Sequence, residues 1–258
     1  MGEAAGTRRS SAPRRRATVT SVLGELLLTA GVVVLLYVVW QLWIGDLILG
    51  AEKSAQAAAL AQSWETSSPQ ESPAPTATPA PTQQPETPAE IPVPAQVEPG
   101  TPFGVMRVPR FGEGWVFTIA GGVSRAQVLD RGEIGHYPDT AMPGGVGNTA
   151  YAAHRWTSAA PFDPIDRLVV GDAIVIETPD GWYTYRFRTL GYVQPTEVDV
   201  LQPVPQAPGA GAGGRYLTLT SCAPKFNVLE RIVAYAVFEG FTPRAAGPPA
   251  SLTLPEAA

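Results

Sequence analysis

The sequence predicts an all-β domain, a closed barrel or a sandwich, carried behind a single membrane-spanning helix. Three observations predict it. From Val105 onward seven short β-rich runs are separated by Gly, Pro and Asp: VMRVPRF, WVFTIAG, NTAYAAH, DAIVIET, WYTYRFRTLGYV, RYLTLTSC and RIVAYAVF. Leu26 to Ile44 is a nineteen-residue stretch without a formal charge. Between the two lies a tract in which eleven of the chain's 27 prolines fall within residues 67–102. At about 150 residues per domain, 258 residues permit one or two domains. The proline tract cannot join a packed core, so one domain of moderate size is expected.

The elements follow in order. Residues 1–25 hold five Arg and two Glu, a net of +3, which leaves −8 for the rest of a chain whose formal total is −5. This basic tail precedes the apolar stretch 26–44, whose length at about 1.5 Å per residue matches the hydrocarbon core of a bilayer. Trp40 and Trp43 stand near its far end, where amphipathic rings favour the headgroup region. The positive-inside rule puts the tail in the cytoplasm and everything after Asp46 outside the cell. A cleaved signal peptide would have an apolar region of about 7–15 residues, shorter than this one. Residues 45–66 form a juxtamembrane segment in which Ala51–Trp64 has helical propensity. Residues 67–103 are a Pro/Thr/Ala-rich disordered linker biased to polyproline II, a stalk. The folded domain is expected over 104–242 and a flexible tail over 243–258.

Within the domain, the period-2 alternation of WYTYRFR and the Asp180-Gly181 turn signal predict a hairpin joining Asp172–Glu177 to Trp182–Arg188. Pro161 and Pro164 limit Ala159–Leu168 to a brief helical turn. The acidic balance argues against a duplex-DNA binder, and no nucleic-acid partner is expected. One cysteine, Cys222, excludes an internal disulfide framework, and two scattered histidines with it make a zinc site a poor fit. No EF-hand-type loop occurs. Neither a cofactor nor a metal is expected. Gly209-x-Gly211-x-x-Gly214 has the letters of a dinucleotide fingerprint but is followed by a strand, where the motif requires a helix.

Cys222 closes an apolar–hydroxyl alternation and so sits at or just past a strand end, presented at a barrel rim. A buried cysteine is ordinarily inert packing, yet an unpaired thiol outside the cell is an oxidation liability. A cysteine nucleophile needs its thiolate, and hence an imidazole or another cation nearby. His154 ends NTAYAAH and could converge on the same rim. His136, in IGHYPDTAMPG, is expected to close a turn as a surface or hydrogen-bonded residue. Acyl transfer also needs donors for the oxyanion. Arg231 opens the next apolar run, and adjacent antiparallel strands would bring it beside Cys222.

Together TLTSC, the downstream Arg231 and GNTAYAAHR resemble the sortases, cysteine transpeptidases of Gram-positive cell surfaces. The likeness runs from about Val105 to Phe241, with IGHYPDTAMPGGVGN, PFDPIDRLVVGD and YLTLTSCAP in the expected order. It is greatest to class E enzymes of actinobacteria, which share the basic tail, membrane helix and Pro-rich stalk. Two positions depart from the family pattern: Ser221 stands where Thr usually precedes the cysteine, and Ala153 where Gly usually precedes the histidine.

The resemblance implies a closed eight-stranded sortase β-barrel with short helical turns. It further implies Cys222 as nucleophile, His154 as general acid/base and Arg231 as substrate positioner and oxyanion stabiliser. Thr220, Ser221 and Tyr137 are candidate substrate contacts, and Gln202–Gly214 a substrate-facing loop. The implied reaction cleaves an LAXTG- or LPXTG-like sorting signal between Thr and Gly. The acyl group passes through a thioester to a lipid II-like cell-wall amine at the cell membrane. The same Cys–His pair could instead serve a thiol hydrolase, and a non-catalytic wall-binding β-domain is the other alternative.

Overall fold

The computed structural model describes residues 18–40, 45–67 and 91–252. The chain divides into two units, Met1–Ile44 and Gly45–Ala258. In the first, helix α1 (Val19–Val39) is apolar on every face with no side chain buried, and it is the one helix among the described residues long and apolar enough to cross a membrane. It begins seven residues ahead of the expected span, because Val19, Val22 and Leu23 extend the apolar run past Glu25.

The second unit is a closed barrel of eight strands: β1 (Pro102–Arg107), β2 (Val116–Gly121), β3 (Ile134–His136), β4 (Gly147–Ala152), β5 (Ala173–Thr178), β6 (Gly181–Val193), β7 (Arg215–Ala223) and β8 (Glu230–Pro243). Neighbours run β1-β2-β3-β4-β7-β8-β6-β5, and β5 closes the ring on β1. The β2/β3 and β4/β7 pairs are parallel and the rest antiparallel. Closure removes the sheet edges that would otherwise template aggregation. The barrel interior is packed by alternate strand residues, among them Met106, Ile119, Tyr151, Ile174, Tyr183, Tyr185, Leu217, Leu219 and Ile232.

The 172–188 hairpin forms, with its turn one residue earlier than the Asp-Gly signal indicated. Thr178 pairs with Gly181, so Pro179 and Asp180 are the central residues. Gly181 is already in β6, at φ +148°, where a Cβ would lie 2.2 Å from the Thr242 carbonyl. His136 does not close a turn. It ends β3, a strand of three residues that includes a glycine and so carries little periodic signal. The brief helical turn in Ala159–Leu168 is a 3-10 turn, Ile165–Arg167.

The folded unit takes in more of the chain than 104–242. The juxtamembrane segment is a 23-residue helix, α2 (Gly45–Ser67), in place of a short one. Its small face lets it lie against the barrel: Ala57 and Ala61, one turn apart, are buried with Val105 of β1 and Val116 of β2, and Leu49 reaches the main core. Residues 91–101 run along the barrel wall. There Tyr183 donates its hydroxyl to the Pro92 carbonyl (2.9 Å), Gln96 donates to Thr140 (2.8 Å) and Gly100 N–H donates to Gly121 (2.8 Å). Beyond β8, Leu252 packs on Ala173, Val175 and Trp182, and the Arg244 guanidinium pairs with buried Glu177 at 3.1 Å. The basic tail, the central part of the expected stalk (68–90) and residues 253–258 lie outside the described residues.

Candidate active site

Strands β4, β7 and β8 are adjacent and assemble the site. Along β7, Leu217, Leu219 and Ala223 belong to the barrel core, so the period-2 alternation turns Thr218, Thr220 and Cys222 to the outer face. On β8, Ile232, Ala234 and Ala236 are core, which leaves Arg231, Val233 and Tyr235 outside. The register then places Cys222 directly opposite Arg231, with Thr220 opposite Val233 and Thr218 opposite Tyr235. On the other flank β4 pairs in parallel with β7 up to Ala152–Thr220, and Ala153 N–H donates to Thr220 at 3.3 Å. His154 and Cys222 are each two residues past that last pair, on neighbouring strands. The three residues therefore share the outer face of one sheet segment near its end.

Cys222 is half-buried and unpaired. Arg231 donates through Nη1 to the Val228 (3.2 Å) and Glu230 (3.0 Å) carbonyls, which fixes the guanidinium on its own loop and leaves Nε and Nη2 to point elsewhere. His154 keeps 16% of its side chain exposed, and its Nε2 lies 2.8 Å from Oδ1 of Asp130. The bond from His154, helped by Arg125, holds the Asp130 carboxyl below the ordinary carboxylate range.

Sequence reasoning missed Asp130. It sits 24 residues before His154, in a 3-10 turn (Leu129–Arg131) between β2 and β3, and Leu-Asp-Arg-Gly reads as an ordinary surface turn.

The three candidate substrate contacts part company. Tyr137 and Thr220 meet, with the phenol oxygen 3.0 Å from Thr220 Oγ1. Because the Thr220 hydroxyl donates to the Tyr151 carbonyl (3.3 Å), the phenol is the donor of that pair. Both belong to the Cys222 face. Ser221 does not: its side chain is buried on the inner side of β7 and donates to the Ala153 carbonyl at 2.7 Å, tying β7 to the residue before His154. The turn just before the expected substrate-facing loop, Asp199–Leu201, is pinned to the same outer face. The Val200 carbonyl accepts from Asn148 (3.0 Å) and Thr218 (3.4 Å), and the Val200 side chain packs on Val233 and Tyr235.

His136 is apart from this group. Its ring is buried edge-on to Phe103 and Tyr151, and its Nε2 bonds the Ala141 carbonyl at 3.0 Å. Burial holds it below the ordinary imidazole pKa. Among the described residues no group of three or more His, Cys, Asp or Glu is disposed to hold a metal ion.

The sortase-domain family model matches residues 106–239, more than half of the chain. The chain belongs to the sortase family. Sortase SrtE1 of Streptomyces coelicolor is 33% identical over 256 residues, covering 97% of this chain and 66% of that protein. SrtE2 of the same organism is 32% identical and covers 86% and 83%. This chain thus spans just under two thirds of the length of SrtE1.

Among solved structures, sortase E1 from S. coelicolor with a tripeptide in its active site aligns with a TM-score of 0.56 and 39% identity, over 61% of this chain and 99% of that one. The SrtA sortase of Actinomyces oris aligns with a TM-score of 0.60 and 36% identity, over 63% and 93%. The curated relatives place this sortase with class E, and its barrel is the sortase fold.

Proposed function

We propose that this sortase is a membrane-anchored cysteine transpeptidase in which Cys222, His154 and Arg231 carry out the chemistry. The observation that supports it most is the strand register that sets Cys222 opposite Arg231, with His154 following the strand paired on the other side of β7. Sγ of Cys222 attacks the carbonyl of the Thr–Gly amide in an LAXTG- or LPXTG-like sorting signal. The Sγ–C bond forms, the C–N bond breaks, and His154 gives its proton to the departing glycine amine. The N–H groups of Arg231 not spent on its own loop serve the oxyanion and position the peptide. A lipid II-like amine then attacks the thioester, His154 takes the proton from that amine, and the thiolate of Cys222 leaves.

Tyr137 and Thr220, bonded to one another on this face, contact the signal peptide. Ser221 acts through its bond to Ala153 as a brace between the strands of the nucleophile and the base. Helix α1 is the membrane span, and the five arginines before it hold the N-terminus in the cytoplasm, so that the barrel works outside the cell.

The test uses the full-length protein in detergent micelles with a sorting-signal peptide and an added amine. Mass spectrometry should detect a thioester on Cys222 and an amide product whose yield rises with the amine. Hydrolysis that ignores the amine would make the enzyme a protease, and no acyl-enzyme at all would leave a binding domain.

A further inference from the structure

The Cys–His–Arg mechanism gives no task to Asp130. We propose that Asp130 is the positioning residue of the catalytic imidazole: its carboxylate accepts the Nε2–H of His154, fixing the ring so that Nδ1 faces Cys222 and the substrate amine. The inference rests on His154 being the acid/base of the reaction.

The contact has the length of a charge-assisted hydrogen bond, 2.8 Å. Arg125 lies 3.4 Å from the same Oδ1, and together these neighbours favour the ionised carboxylate. An ionised carboxylate only accepts, so the hydrogen on Nε2 belongs to His154. In the neutral ring the remaining lone pair is then on Nδ1, the arrangement that receives a thiol proton. In the charged ring Nδ1–H is the group that protonates the leaving amine. The proton moves between Nδ1, sulfur and amine, and Asp130 keeps its charge throughout, balancing the imidazolium.

A chance surface pair would be worth little, but both partners here sit on tied turns that pack against one another. The Asp130 turn is tied by Val128 N–H and Leu129 N–H to the Ser124 carbonyl and by Asp130 N–H to Arg125 (2.7 Å). It ends at Gly132, in the left-handed region at φ +76°. A Cβ on Gly132 would lie 2.9 Å from the Ser158 carbonyl and 3.1 Å from Cβ of Ala159, so the two turns touch at a place where only glycine fits.

Ser158 and Ala159 belong to Thr157–Ala160, four consecutive non-glycine residues with positive φ, three residues after His154. L-residues adopt that conformation at a cost, and it persists where surrounding contacts over-determine it, commonly at functional sites. Here the contacts are Thr157 N–H to Oδ2 of Asp46 on α2 (3.0 Å), Ala160 N–H to Thr157 (2.9 Å) and Phe162 N–H to the His154 carbonyl itself (3.0 Å).

The experiment compares Asp130→Ala, Asp130→Glu and His154→Ala in the full-length protein. Asp130→Ala should lower kcat about 100-fold with KM for the sorting-signal peptide moving less than about threefold, the pattern of a group that orients a catalytic base. Thermal stability should be close to wild type, and Asp130→Glu should recover most of the rate. Because the chain has two histidines, 15N-histidine labelling gives two sets of ring signals. The His154 set should report hydrogen on Nε2 in the wild type and a mixture of both nitrogens in Asp130→Ala. A kcat within twofold of wild type for Asp130→Ala, where His154→Ala is inactive, overturns the proposal, as does an unchanged ring-nitrogen pattern. Full activity in His154→Ala would instead sink the acid/base reading on which it stands.

Discussion

The two histidines of this sortase lie in adjoining parts of one sheet and meet opposite environments. His136, on β3, is sealed between the rings of Phe103 and Tyr151 and bonds a carbonyl and the Thr140 hydroxyl, with no carboxylate on it. His154, just past β4, remains open to solvent on one side and is joined to Asp130. The first environment favours a neutral ring and uses its N–H for architecture. The second sets a carboxylate on the ring, which stands beside the strand of the only thiol in the chain. Ionisable residues do chemistry where the structure supplies a counter-charge and access, and the same side chain without them is packing.

Four experiments would break or sharpen that contrast. Cys222→Ala should abolish acyl-enzyme formation and turnover while leaving the melting temperature within a few degrees, since the side chain is on the outer face. His154→Ala should cost at least about 10³-fold in kcat/KM, measured by release of the glycine-containing fragment. Arg231→Ala should lose about 10²–10³-fold through the oxyanion and peptide contacts, and Arg231→Lys should recover only part because a point charge cannot reproduce the planar fork. Wild-type rates in any of the three would remove that residue from the mechanism.

His136→Ala should behave in the reverse manner, with kcat/KM within about tenfold of wild type but stability reduced by about 2 kcal/mol through lost ring packing and a carbonyl left unbonded. Its pH signature follows from burial. The folded His136 titrates below its ordinary 6.5, so on acidification the unfolded chain binds the proton first. Stability is full above that value and falls as pH drops below it, and His136→Gln should flatten this part of the melting-temperature profile.

Much of this was legible in the sequence where a period was long enough to read. WYTYRFR announced the second strand of a hairpin, and the strand forms with Tyr183, Tyr185 and Phe187 in the core. YLTLTSC followed by RIVAYAVF announced the antiparallel pair that sets Cys222 beside Arg231. Three features escaped for physical reasons. β3 has three residues, too few to display alternation. Asp130 meets His154 only through the folding of two distant turns. The docking of α2 depends on a face of alanines, which carries no mark of its partner. Ser221 is a different case: neighbouring strand residues point to opposite faces, so the alternation that exposes Cys222 already turned Ser221 inward.

The docking of α2 has a practical consequence for anyone preparing a soluble enzyme. Trimming the protein at residue 104, where the β-rich pattern begins, would strip Ala57 and Ala61 from Val105 and Val116 and leave an oily seam open to water. It would also take away the Asp46 carboxylate that steadies the turn after His154. Poor yield or low activity from such a preparation would report on where the chain was cut. A soluble form that begins at Gly45 keeps both contacts.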